Sequence, residues 1–201
     1  MELREALDQI SEIRLQMARA EMFRGYRAVP VAFSGCLAAS AALFQSTWIH
    51  DPTHQIGPYL ALWMGSAVVS AGAAGSEMWA RYRASTAPRA REVAWLAVEQ
   101  FLPSLAAGAL LTFVLARSAE ETLWMLPGLW QILFSLGIFA SCRLLPRATF
   151  GVAVYYLATG LACLALARGE FALSPWAMGL PFGIGQWLAA AILYRTLERR
   201  A

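Results

Sequence analysis

Few residues of this 201-residue sequence are equipped for chemistry, and those few stand among apolar neighbours. Glu99 and Gln100 are followed closely by Pro103. A proline in a helix removes the hydrogen bond to the carbonyl four residues back, so the Glu99 carbonyl loses its donor. A carboxyl group, an amide and a freed carbonyl then meet at one kink. Such a set can hold a cation, a proton or a polar headgroup. The competing expectation is structural: Glu99 pairs with Arg91 or Arg143 and fastens two helices, as many carboxylates in apolar surroundings do.

A second irregular stretch is Gly179-Leu180-Pro181-Phe182-Gly183-Ile184-Gly185-Gln186. Pro181 frees the carbonyl of Ala177, and the glycines lower the cost of bending. Gln186, Gln131 and the pair Tyr155 and Tyr156 are polar groups able to meet around a cavity here. With Glu99 and Gln100, the residues Gln131, Tyr155 and Gln186 form the candidate ligand-binding set. Gly179 and Gly183 also make a GxxxG pair, which is first of all a helix-packing device.

Other chemistry finds little support. The chain has no lysine, which excludes Schiff-base catalysis. His50, Asp51 and His54 are of metal-binding type, but no second cluster completes a ligand shell, so no metal or cofactor is expected. Cys36, Cys142 and Cys163 lie in apolar runs without CxxC spacing and read as inert buried thiols. No phosphate loop or nucleophile turn is present. No catalytic residue is assigned, and an enzyme is the least supported class.

The elements that position these groups follow from composition. Hydrophobic residues make up 59% and charged residues 14%, with mean hydropathy +0.50. A water-soluble domain carries roughly a quarter charged residues, so the excess of apolar side chains calls for lipid as solvent. Six runs approach the roughly 20 helical residues that cross a hydrocarbon core. They are Val29–Ile49, Pro58–Trp79, Val93–Ala116, Leu123–Cys142, Ala148–Ala167 and Pro175–Tyr194. The expected fold is all-α: a polytopic membrane protein of six transmembrane helices. Counted from these starts, Glu99 lies roughly 9 Å and Gln186 about 16 Å into its span.

Arginine sets the orientation. Fourteen of the sixteen arginines fall on the N-terminus, the loops near 80–92 and 143–147, and the C-terminus. Only Arg117 and Arg168 fall on the opposite side. By the positive-inside rule both termini are cytoplasmic. Charge placed at segment ends, not on one face, also argues against nucleic acid as a partner. The even-numbered spans open alike, at Gly57-Pro58-Tyr59-Leu60, Leu126-Pro127-Gly128-Leu129 and Leu173-Ser174-Pro175-Trp176. Each puts a proline near the first turn, where its missing N–H costs least. We read three hairpins with outward tips and a weak internal repeat, a pattern met in transporters.

Residues 1–28 precede the six-helix domain of residues 29–201 and are expected to form a cytoplasmic amphipathic helix. Leu3, Leu7, Ile10, Ile13 and Met17 fall on one heptad stripe. Residues 1–21 carry five acidic and three arginine side chains. Helices lying on anionic lipid are usually basic, so a protein contact is favoured: self-association, a cytosolic partner or the chain's own loops.

At Phe23-Arg24-Gly25-Tyr26-Arg27-Ala28-Val29-Pro30 and Leu126-Pro127-Gly128-Leu129-Trp130 the sequence resembles small six-helix inner-membrane proteins of bacteria that have no assigned activity. The resemblance implies a bacterial inner (plasma) membrane and no function. Two functional expectations stand. One is a small-molecule or ion transporter, or a ligand-binding membrane protein, with a cavity beside the kinked third and sixth spans. The other is a scaffold or sensor subunit that recruits a partner through its N-terminal helix.

Overall fold

The computed structural model of the chain describes residues 27–84, 88–142, 145–167 and 171–198. Among them there is no strand. Helix α1 covers Ala28–Trp48, α2 Ile56–Ala84, α3 Pro88–Ser118, α4 Leu126–Ser141, α5 Thr149–Leu166 and α6 Pro175–Leu193. A 3-10 helix over Glu120–Met125 leads into α4, and a π-helical turn over Tyr194–Glu198 follows α6. The expected amphipathic helix, with Leu3, Leu7, Ile10, Ile13 and Met17, lies outside the described residues; Ala28, its last position, already belongs to α1.

Six helical stretches of 18 to 25 residues are long and apolar enough to cross a membrane, that of α4 starting in the 3-10 helix at Glu120 and that of α6 running to Thr196. The six-span reading of the sequence is met at this level. Large apolar side chains such as Val68, Leu110, Phe113 and Leu161 stand exposed on the helices. Apolar surface on that scale is suited to lipid, not water. In α3 the crossing stretch begins at Val98, so Glu99 falls in its first turn instead of six residues in. The helix itself starts ten residues earlier, with Pro88 in the first position where an N–H is not needed.

The starts of α4 and α6 follow their sequence signals. Pro127 sits in the first turn of α4, and Pro175 opens α6 behind Ser174, whose hydroxyl accepts from the Trp176 N–H at 3.4 Å. Helices consecutive in the chain are neighbours in space, and α6 returns against α1. The two most extensive contacts are α1 with α6 and α4 with α5. Of the neighbouring pairs, α2 and α3 touch least.

Glycine explains the close pairs. A Cβ on Gly128 would lie 2.8 Å from the Gly160 carbonyl oxygen, and one on Gly160 would lie 2.8 Å from that of Gly128. The backbones of α4 and α5 therefore meet where neither carries a side chain. On α6, Gly179 is seated against the methyl group of Ala42 of α1. Helices in lipid gain little from burying apolar surface against each other, so van der Waals contact at this range is what holds them.

Candidate functional site

An open cavity of about 440 Å³ lies among the six helices. It runs from Trp63 to Met78 along α2 and from Met178 to Leu193 along α6. Each of those stretches rises roughly 22 Å. Trp63, Trp130 and Met178 mark one end, within about two turns of the starts of α2, α4 and α6. Ser141 and Thr149 mark the other, where α1 and α5 begin and α4 ends. Between them α2 presents small residues such as Ser66, Ser70 and Ala74 across from Phe101, Ser104 and Leu105 of α3. Because α2 and α3 touch so little, the cavity is poorly sealed along that side.

Both indoles at the tryptophan end have their N–H groups engaged. Trp63 Nε1 donates to Gln45 Oε1 at 2.7 Å, and Gln45 Nε2 donates to the Leu173 carbonyl at 2.7 Å. Trp130 Nε1 donates to Thr112 Oγ1 at 2.8 Å, and that hydroxyl donates to the Gly108 carbonyl. The rings thus offer the cavity carbon, not hydrogen-bond donors. Gln45 is wholly buried and joins α1 to α2 and to the segment before α6. Its signal in the sequence is slight: a single amide four residues inside the end of the Val29–Ile49 run.

The wall beyond is aromatic. Phe134 meets Tyr156 at 4.9 Å between ring centroids, Phe101 at 5.2 Å and Phe182 at 5.5 Å. Gln186 lines the cavity half-buried, beside the Tyr156 hydroxyl. Among the described residues no carboxylate, imidazole, thiol or guanidinium lines it. Ser141 is 1% exposed, and its hydroxyl has no hydrogen-bond partner among the described residues.

The five sequence candidates are not brought to one place. Gln186 alone is on the cavity wall. Tyr155 packs edge-on to Tyr156, with centroids 5.5 Å apart, outside the lining. Glu99 is exposed and Gln100 half-buried on α3, where their neighbours Val98 and Phe101 face the cavity instead.

Gln131 has a different setting. It is wholly buried, and its Nε2 donates to the Ala177 carbonyl across the α4–α6 contact and to Pro127 within α4, both at 3.0 Å. Ala177 is the residue whose carbonyl Pro181 deprives of a helical donor. An amide from α4 therefore supplies the hydrogen bond that the backbone of α6 cannot.

In the loop from α1 to α2, Asp51 accepts from the Thr53 hydroxyl and from the backbone and ring of His54, the ring at 2.9 Å. These donors, the Thr53 hydroxyl foremost, hold its carboxyl at about 2, below the ordinary 3.8. His50 does not join them, and no three metal-ligand side chains gather among the described residues. Cys36, Cys142 and Cys163 are free thiols; Cys36 is exposed and the other two half-buried.

The geometry has to be read on its own terms: no protein-family model matches the chain, and no curated protein or solved structure is similar to it.

Proposed function

We propose that this chain is an integral membrane protein that binds a lipophilic molecule in its cavity, admitting it from the bilayer between α2 and α3. The wall's chemistry carries the reading. Burying a hydrated ion or sugar against such a wall would strip its water and return few hydrogen bonds, at several kcal/mol per uncompensated group. A hydrocarbon group loses nothing there. The volume lies in the range of small-molecule pockets, ~300–1,000 Å³, which are themselves mostly apolar with a few placed polar groups. The arginine distribution supports an orientation with the Ser141 end toward the cytoplasm. Transport would then mean moving that molecule between the leaflet and the cytoplasmic side.

The test uses the full chain in phosphatidylcholine nanodiscs and a neutral fluorescent alkyl probe. Ser70→Phe with Ser104→Phe fills the cavity from both loosely joined helices. This variant should weaken saturable probe binding at least tenfold. Gly72→Phe, placed on open surface of α2 outside the lining, should not. Equal probe binding by all three proteins would sink the proposal.

A further inference from the structure

We infer that the ligand is an anionic amphiphile with a single hydrocarbon chain, its tail against Trp63 and Trp130 and its headgroup where α1 and α5 begin. This rests on the lipophilic-ligand reading and names the class of molecule. Three observations lead to it.

The first is shape. A cavity of about 440 Å³ that follows α2 and α6 for roughly 22 Å is far longer than it is wide, a form that suits an extended hydrocarbon chain.

The second is the gradient of polarity along that length. The indole N–H groups at the tryptophan end are engaged elsewhere. At the other end Ser141 belongs to the lining, and its buried hydroxyl has no partner among the described residues. A buried hydroxyl without a partner costs free energy. A headgroup oxygen reaching Ser141 would remove that cost, whereas a plain alkane would not.

The third is charge. Pro30, Met78, Thr149 and Leu193 line the Ser141 end, and Arg27, Arg83, Arg147 and Arg195 follow or precede them by two to five residues. All four arginines are exposed, with the Arg83 guanidinium 5.1 Å from the Trp79 ring centre. The carboxylates of the described helices toward this end are Glu77, Glu92, Glu99 and Glu198, and the arginines there, with Arg81, Arg89 and Arg91 added, outnumber them. At the opposite end Asp51, Glu120 and Glu121 share the described loops with Arg117 and two histidines. An anionic head is favoured at the Ser141 end, and a bidentate guanidinium contact suits carboxylate and phosphate alike.

Competition against the neutral alkyl probe, on the full chain in the same nanodiscs and at equal mole fraction, tests this. Palmitate or a monoacyl glycerol phosphate should displace the probe at least tenfold better than hexadecanol. Hexadecyltrimethylammonium and a diacyl phosphatidate should do no better than hexadecanol. Which anion wins separates a free fatty acid from a monoacyl phospholipid as the source. Ser141→Ala should lower the affinity of the winning anion severalfold and leave hexadecanol unchanged. Arg147→Gln with Arg195→Gln, both at exposed positions, should narrow the preference for anions over hexadecanol. If hexadecanol matches both anions, the headgroup inference falls while the lipophilic cavity stands. Competition by the diacyl lipid overturns the single chain. Absence of saturable probe binding, or indifference to the Ser70→Phe and Ser104→Phe pair, removes the underlying reading as well.

Discussion

Glycine has opposite consequences in two parts of this molecule. Gly128 and Gly160 bring α4 and α5 into backbone contact, and Gly179 seats α6 against the Ala42 methyl group of α1. On α2, a Cβ at Gly65, Gly72 or Gly75 would meet nothing within 4 Å. Burial follows the same division. In the crossing stretches of α1, α4, α5 and α6, 33% to 44% of residues are buried; in α2 and α3 the shares are 11% and 6%. Small residues thus weld one part and leave the other open. Small-residue spacing marks a helix contact only where another backbone comes to use it; on α2, Gly65 and Gly72 lie on open surface and only Gly75 lines the cavity.

The sharpest way to break this contrast is one substitution made twice. Gly128→Ala drives a methyl group into the Gly160 carbonyl and should cost about 1–3 kcal/mol, the usual range for overpacking. Gly72→Ala should be neutral or stabilising by up to about 1 kcal/mol, because alanine is the better helix former. Unfolding in mixed micelles measures both. Equal losses would mean that α2 is packed after all.

Within the welded part, Gln131→Leu should cost about 1 kcal/mol, the scale of interhelical hydrogen bonds in membranes. The same change should cost less when Pro181→Ala is already present, since α6 then supplies its own donor to Ala177. A double-mutant cycle reads this coupling directly. Additive effects would show that the amide is not mending the proline break.

The smallest effect is at the joint between the parts, the loop from α1 to α2. Asp51 has its carboxyl held down to about 2, so its contribution to loop order is present above the ordinary 3.8 and is lost as pH falls through about 2. Thr53→Ala should raise the titration midpoint of Asp51 toward 3.8, as followed by carboxyl NMR. An unmoved midpoint would mean that the Thr53 hydroxyl is not the chief donor.

The six helices were legible because hydropathy acts over 20 residues at a time, and lipid leaves little choice but helix. The orphaned Ala177 carbonyl was legible too, from Pro181 alone. What could not be read was the partner: Gln131 lies 46 positions away, and only the placement of α4 on α6 makes it a donor to Ala177. Gln131 and Gln186 look alike in sequence, yet one is wholly buried in a helix contact and the other lines a cavity. Gln45 stands near a span end, where sequence gives no sign of burial, yet Trp63 and Leu173 hold both ends of its amide. The cavity depends on how far α2 stands from α3, a distance that no local pattern encodes. The heptad stripe of Leu3 to Met17 lies outside the described residues, so recruitment of a partner there rests on its pattern alone.

The return of α6 to α1 has a consequence for biogenesis. Gly35 and Gly183 meet in the finished protein, but a ribosome adding about 5–20 residues per second needs on the order of ten seconds or more to travel from one to the other. Throughout that interval the first helix must reside in the bilayer without its principal neighbour. Insertion and assembly are therefore separated in time, and a chain halted before its last helix would leave the first without the surface it was built to meet.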